Sequence, residues 1–250
     1  ELHWLCEAGF ADIARLHPFV KKIHTLSWRQ WRKQLGKRET WQEIGCLKTN
    51  LRQEKFDLVL DSQSLIKSAL PAKMAGAPVW GLDKYSARES WAACLYNRVF
   101  PVPKSRDAVW RNRSLFAQAF GYELPEKLIF GARIPEKGRL KTEKPYYVAL
   151  HATSRDSKLW QPKYWRELMR LMHERDGGTI YLPWGSEKEK SRAESLSDGL
   201  PYVRVCDKMN LMQAAELLQD AAGVVGVDTG LLHLANAFDK PLVGIYTDTD

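Results

Sequence analysis

Short apolar runs alternate with helical patterns through the second half of this chain, and no other feature of the sequence restricts the fold as much. The runs have the length and composition typical of strands that are buried on both faces. Between the first two, a segment that begins near Pro162 repeats apolar residues at helical spacing. This alternation predicts an α/β fold with a parallel sheet and helices on both sides. The runs are at 146–152, 179–184, 202–206, 223–227 and 241–246.

The first half gives a looser version of the same pattern. The segment at 122–145 has three prolines and many charges without a regular period, which predicts a linker. We therefore predict two α/β domains, at 1–125 and 145–250. In the first half, strands are predicted at 2–6, 22–26, 57–61 and 78–82, and the first of these is predicted to be buried. Helices are predicted at 65–75, 90–100 and 107–120.

The charge balance indicates an anionic partner. The 250 residues have a formal net charge of +8, and such a protein attracts nucleic acid, acidic lipid or a phosphorylated small molecule before specific contacts form. The four cysteines are far apart, which argues against a disulfide framework or a cysteine zinc site and favours a reducing cytosol. No apolar run has the roughly 20 residues that a membrane span needs. The composition predicts a soluble protein that at most lies on a membrane.

A turn between a buried strand and a helix is the first candidate binding site. Asp228, Thr229 and Gly230 follow the run at 223–227, and His233 comes one turn into the helix. We expect Thr229 to cap the helix and Gly230 to let a ligand approach the first N–H groups, which favour phosphate. His233 leans back towards the same turn. In the alternative interpretation, the turn only caps the helix and His233 is a solvated surface residue.

Two further loops follow predicted strands and have polar side chains. Thr153, Ser154 and Lys158 follow the run at 146–152, and they suit a diphosphate whose oxygens gain charge as it leaves. Trp184 ends the run at 179–184, and Gly185 and Glu189 follow it, where a carboxylate commonly accepts hydrogen bonds from ribose. The alternative is that Lys158 and Glu189 are surface charges and that Trp184 belongs to the core or its rim.

A basic segment at 27–41 contains three tryptophans. Arg29, Arg32 and Lys33 suit carboxylates or phosphates, with the rings at a lipid headgroup interface. The same composition also suits single-stranded nucleic acid, and an amphipathic helix with solvated charges is the alternative. A second polar set consists of Gln63, Lys67 and Arg88.

Four segments together resemble the lipopolysaccharide heptosyltransferases of glycosyltransferase family 9. They are DSQSLIKSAL (61–70), LHATSRDSKLWQPKYWREL (150–168), LPWG (182–185) and VDTGLLHLANAF (227–238). The resemblance runs along essentially the whole chain, and it is greater to type I than to type II enzymes. It implies a GT-B architecture, in which two Rossmann-like domains face a central cleft. It also implies inverting transfer of L-glycero-D-manno-heptose from ADP-heptose to Kdo of Kdo2-lipid A, without a cofactor or metal.

The resemblance also implies roles for individual residues. The donor set is Thr153, Ser154, Lys158, Trp184, Gly185, Glu189, Met209, Asp228, Thr229, Gly230 and His233, and the acceptor set is Arg29, Arg32, Lys33, Gln63, Lys67 and Arg88. The catalytic aspartate of the family is expected before Glu1, and the family also continues past 250, so we assign no catalytic base within the chain. Asp61 is interpreted as the end of a strand, and Asp248 and Asp250 as solvated acids. The expected location is the cytoplasmic face of the bacterial inner membrane, as a peripheral protein.

Other functions stay open at this point. One is a type II heptosyltransferase or another member of family 9. A nucleotide-sugar epimerase uses the same two-domain fold, and it would convert a donor without an acceptor. A basic nucleic-acid-binding protein would use the segment at 27–41 and would lose affinity steeply with salt. The transferase interpretation predicts no nucleic-acid partner. It explains four segments of the sequence, whereas each of the other functions explains only one.

Overall fold

A computed structural model of the chain describes residues 1–134, 142–143, 145–153 and 156–247. It divides into two compact units. One consists of His3–Ala8 and Lys22–Leu128, and the other of Glu1–Leu2, Gly9–Lys21 and Ile129–Asp250. No helix of the described residues is long and apolar enough to cross a membrane.

The N-terminal elements form two small sheets. A two-stranded sheet pairs β1 with β2, and a three-stranded parallel sheet has the order β3-β4-β5. The elements are β1 (Leu2–Glu7), α1 (Ala11–Arg15), β2 (Val20–Leu26), α2 (Trp28–Trp31), α3 (Arg38–Gln53), β3 (Val59–Asp61), α4 (Ile66–Met74), β4 (Val79–Leu82), β5 (Arg98–Phe100) and α5 (Ala108–Phe120).

Two predictions for this half are wrong. The strand at 2–6 forms as β1, but none of its residues is buried, and Trp4 is 44% exposed. The helix predicted at 90–100 is instead a 3-10 helix at Ser90–Leu95 followed by β5. Parallel pairing of Trp80 with Arg98 and Leu82 with Phe100 overrides the helical pattern, because strand preference depends mainly on neighbours in the sheet.

The segment Gly9–Lys21 belongs to the unit formed mainly by the C-terminal half, although it lies within the predicted domain at 1–125. The cause is Leu16, which is 2% exposed within the core of that unit. The Arg133 N–H donates to the Leu16 carbonyl over 2.7 Å. Part of the predicted linker thus packs on this unit, while 135–141 and 144 lie outside the described residues.

The C-terminal elements form a five-stranded parallel sheet of order β10-β9-β6-β7-β8. All five predicted strands are confirmed, as is the helix that begins at Pro162. The elements are β6 (Tyr146–Leu150), α6 (Pro162–Asp176), β7 (Thr179–Leu182), α7 (Glu187–Ser197), β8 (Val203–Val205), α8 (Leu211–Gln219), β9 (Gly223–Val227), α9 (Gly230–Ala237) and β10 (Leu242–Ile245).

The core of this unit lies on both faces of the sheet. In β6, Tyr146, Val148 and Leu150 pack into one cluster, and Tyr147 and Ala149 into the other. This is the alternation of strand side chains between two helical layers. Because β6 pairs directly with β9, the loops that follow these two strands leave the same edge of the sheet.

We expect Gly226→Ala to destabilise this unit. Gly226 pairs with Leu150, and a Cβ at 226 would lie 2.7 Å from the Leu150 Cβ. Overpacking of a tight core typically costs about 1–3 kcal/mol, and urea unfolding followed by circular dichroism measures the loss. Gly36→Ala is the control, because a Cβ there meets nothing within 4 Å. Equal stability of the two variants would contradict the prediction.

Candidate active site

The loops after β6 and β9 are joined through Asp228. The Thr153 hydroxyl donates to the Asp228 backbone carbonyl over 2.9 Å. The Lys158 ammonium donates to Oδ2 of the Asp228 carboxylate. Lys158 lies at the end of a 3-10 turn, Asp156–Lys158, so one short loop supplies both contacts to the turn after β9.

Asp228 is the centre of the charges at this edge. The Lys158 and Asp228 side chains are only 16% and 24% exposed, and His233 Nε2 lies 3.7 Å from Asp228 Oδ1. The hydrogen bond from Lys158 lowers the pKa of Asp228 below its usual range, with smaller effects from the charge of Lys158 and from His233. The carboxylate therefore holds two nitrogen-bearing side chains at the mouth of the site.

The start of α9 is open to a ligand. Thr229 occupies the N-cap position with an extended backbone, but its side chain accepts no hydrogen bond from the described first turn. The prediction that Thr229 caps the helix is therefore confirmed for its position, without a side-chain hydrogen bond. A Cβ at Gly230 would meet nothing within 4 Å, and the first-turn N–H groups favour an anion.

The side chains of α9 divide into a buried and an exposed set. Leu232, Leu234 and Ala235 are buried. His233 is on the opposite side of α9, with 70% of its side chain exposed.

Six residues from these loops line one cavity of about 340 Å³. This volume is in the range of small-molecule sites. The structure thus brings together five residues from the turn after β9 and the loop after β6, plus His233 one turn into α9. Ser154 lies outside the described residues. The lining consists of Thr153, Lys158, Asp228, Thr229, Gly230 and His233.

The loop after β7 is not part of that lining. Glu189 Oε2 accepts from the N–H groups of Gly185 and Ser186, over 2.7 and 3.1 Å, in a capping box at the start of α7. The Ser-x-x-Glu spacing already contained this signal. Trp184 Nε1 donates to the Cys206 carbonyl over 2.6 Å, and Met209 packs half-buried against the core.

Arg192 is a positioning residue that sequence reasoning missed. Its guanidinium donates to the His151 and Trp160 carbonyls over 3.3 and 2.6 Å, so it holds both ends of the loop that contains Thr153 and Lys158. His151 is fully buried, and burial lowers its pKa to about 4. Arg192 is on α7, 32 residues after Trp160, and its helical surroundings gave no signal of this role.

The predicted acceptor residues lie on the surface of the other unit. Gln63, Lys67 and Arg88 are exposed, and two hydrogen bonds tie their segments together. The Ile66 N–H donates to the Glu89 carboxylate over 2.8 Å, and the Glu89 N–H donates to the Ser64 carbonyl over 3.2 Å.

Asp61 is a structural residue at the end of β3, as predicted. It is 6% exposed and accepts hydrogen bonds from the Tyr96 hydroxyl and the Ser68 hydroxyl, both over 2.7 Å. The N–H groups of Gln63 and Ser64 also donate to it, over 2.9 and 3.2 Å. Burial and the negative charge of Asp61 raise the pKa of Tyr96, which keeps its phenol protonated.

The segment at 27–41 is not one amphipathic helix. It forms the short α2, turns, and the first residues of α3. Trp31 is 4% exposed in the core and donates to Glu43 Oε2 over 2.6 Å, so this ring does not face a partner. Arg29, Arg32 and Lys33 are exposed around it.

Residues 44–250 match the family model described as glycosyltransferase family 9 (heptosyltransferase). The chain belongs to this family. It is 40% identical to lipopolysaccharide heptosyltransferase 1 of Pseudomonas aeruginosa over 252 residues, which cover 100% of this chain and 71% of that protein. It is 39% identical to the protein of the same name from Escherichia coli K12, over 99% of this chain and 78% of that protein.

A solved heptosyltransferase structure is also similar to this chain. The structure of E. coli heptosyltransferase WaaC with ADP-2-deoxy-2-fluoro heptose superposes with a TM-score of 0.88 at 37% identity, over 99% of this chain and 79% of that chain. The predicted α/β fold of GT-B type is confirmed. The chain is therefore a heptosyltransferase of family 9.

We predict that Lys158→Met raises the pKa of Asp228 towards its ordinary value. Unfolding also restores that value, so the pair stabilises the fold above about pH 4, and its contribution disappears as the pH falls through the lowered pKa of Asp228. NMR of the Asp228 carboxyl carbon over an acid titration measures the midpoint of its protonation. Lys188→Met, which removes an exposed partner of Asp156, is the control and leaves it unchanged. An unaltered midpoint in Lys158→Met would contradict the assignment.

Proposed function

We propose that this family 9 enzyme transfers L-glycero-D-manno-heptose from ADP-heptose to Kdo of Kdo2-lipid A, with inversion at the anomeric carbon. The observation that carries the proposal is the polar cavity between the loop after β6 and the start of α9. The names of the two relatives and the donor analogue in the WaaC structure support the reaction and its donor.

The cavity residues suit the diphosphate of the donor. The Lys158 ammonium and the first N–H groups of α9 offer donors to phosphate oxygens. The Thr153 hydroxyl would join them by turning its one proton from the Asp228 carbonyl to the phosphate. Charge grows on those oxygens as the bond to heptose breaks, so these groups stabilise the transition state more than the ground state. Ser154 is proposed to act beside Thr153, on the resemblance alone.

Asp228 has a positioning role in this proposal. It holds Lys158 in the cavity before the donor binds and keeps His233 close to the same carboxylate. A bound diphosphate then shares the ammonium with Asp228. Groups that are already in place need little rearrangement during the reaction.

The nucleoside end of the donor is proposed to lie towards the ends of β7 and β8. Trp184, Gly185, Glu189 and Met209 follow those strands, and all strands of this parallel sheet end at one edge. Oε2 of Glu189 is occupied by the helix cap, so in our proposal the ribose hydroxyls bind its Oε1.

The acceptor is proposed to bind the basic surface of the other unit. Kdo has a carboxylate and lipid A has phosphates, which match the guanidinium and ammonium groups in charge. The residues are Arg29, Arg32, Lys33, Gln63, Lys67 and Arg88. The net charge of +8 favours the approach of this anionic acceptor over distance.

Mass spectrometry of Kdo2-lipid A after incubation with the protein and ADP-heptose tests the function. We expect a mass gain of one heptose that requires both substrates. Lys158→Ala should lower turnover by about 10²–10³-fold, the usual effect of losing one such donor. Lys188→Ala, whose ammonium pairs with Asp156 on the surface, should retain activity.

Each other outcome points to a different function. Conversion of ADP-heptose without acceptor would favour the epimerase alternative. The absence of reaction, together with salt-sensitive binding of single-stranded nucleic acid, would favour the nucleic-acid alternative. Normal turnover by Lys158→Ala would remove Lys158 from the leaving-group site.

We also propose peripheral contact with the cytoplasmic face of the inner membrane through Arg29, Arg32 and Lys33. Each basic residue near an anionic surface contributes about 1 kcal/mol, so replacing all three with glutamine should weaken vesicle binding about 100-fold. Co-sedimentation with phosphatidylglycerol vesicles measures this. The same replacement of Lys163, Lys188 and Lys208 is the control, since these exposed residues belong to the other unit. Equal losses in both variants would contradict a specific surface.

A further inference from the structure

Two histidines and a glutamate converge at the first sheet, and none of them belongs to the predicted donor or acceptor set. His3 on β1 and His24 on β2 face each other, with His3 Nδ1 3.2 Å from His24 Nε2. Glu54, which follows α3, places Oε2 3.8 Å from His3 Nδ1. The three ligand atoms lie within 4.8 Å of one another. They join three segments that are distant in sequence.

These separations fit the first coordination shell of a small ion. Zinc bonds imidazole nitrogen at about 2.0–2.1 Å, so two ligands of a tetrahedral site are about 3.4 Å apart. The measured 3.2 and 3.8 Å are on either side of this value. The two facing ring nitrogens share one proton in their hydrogen bond, and an ion would replace that proton.

The surroundings prepare these groups as ligands. His24 is 6% exposed, and its ring stacks on that of His3 with the centroids 5.4 Å apart. The Phe56 ring packs edge-on against both imidazoles, with centroids 5.2 and 5.9 Å away. The His3 and Glu54 side chains are 12% and 21% exposed, so an ion has access from solvent.

We propose that His3, His24 and Glu54 form a binding site for a divalent ion of the zinc class, which ties the first sheet to the end of α3. Two imidazoles and one carboxylate are ligands for such ions, whereas calcium and magnesium prefer oxygen alone. The site does not depend on the proposed transfer reaction, because none of its residues belongs to the donor or acceptor set.

Lys22 opposes binding at this site. Its ammonium pairs with Oε1 of Glu54. The charge of Glu54 is thus already balanced, and an incoming dication is repelled by the nearby ammonium. Removing that ammonium while keeping the carboxylate should therefore strengthen metal binding.

Calorimetric titration with ZnCl₂ on the intact protein tests the proposal. We expect one ion per chain and a rise in Tm of about 5 °C or more at 100 times Kd. His3→Gln and Glu54→Gln, which change half-buried groups with little change of shape, should each weaken binding at least about 10-fold. His17→Gln, a histidine outside the cluster, is the matched control and should bind as the parent does. Lys22→Met should bind several-fold more tightly.

Cobalt absorption identifies the ligand atoms. Co²⁺ bound to imidazole and carboxylate should show d–d bands without thiolate charge transfer, and Glu54→Gln should alter them. A thiolate band would overturn the proposal, because it would place the ion on a cysteine. The proposal is also overturned if the His3→Gln and His17→Gln proteins bind Zn²⁺ equally, or if Lys22→Met binds it no more tightly than the parent. The proposed heptose transfer does not depend on any of these results.

Discussion

The parallel pairing of β6 with β9 is the constraint on which the candidate active site depends. Leu150 lies opposite Gly226, so the chain leaves both strands at the same level of the sheet. In this register Thr153 and Lys158 reach the carbonyl and carboxylate of Asp228. A slip of one residue would turn the buried side chains of β6 to the opposite face. The packing that fixes the register therefore also fixes the site.

The ion pair at this edge stabilises the fold only modestly, and its main role is positioning. Lys158 and Asp228 are both mostly shielded from water, and such pairs contribute little net stability because each charge loses hydration. What the pair provides is a fixed ammonium beside helix N–H groups that are open to a ligand. Arg192 supports this arrangement by holding the ends of the same loop.

The sequence allowed the C-terminal unit to be predicted well, because strands buried on both faces are nearly pure apolar runs. Thr153, Lys158 and Asp228 were grouped by the resemblance, and they meet because the parallel strands before them end at one edge of the sheet. The errors have another origin. Phe100 joined a strand and Leu16 joined the core of the other unit through contacts distant in sequence. The contacts of Arg192 also join residues that are distant in sequence. The helix cap at Glu189, in contrast, is indicated by its local Ser-x-x-Glu spacing.

The donor and acceptor assignments rest on different kinds of evidence, and the charge distribution shows why. At the donor site, a few groups around Asp228 meet within hydrogen-bonding or ion-pairing distance, which suits a small ligand with a fixed diphosphate. The acceptor residues are exposed and spread along several segments. Such a surface suits a large anionic substrate, whose many charges need matching in sign more than in geometry. Geometry thus supports the proposed donor residues around Asp228 one by one, and charge supports the proposed acceptor surface as a whole.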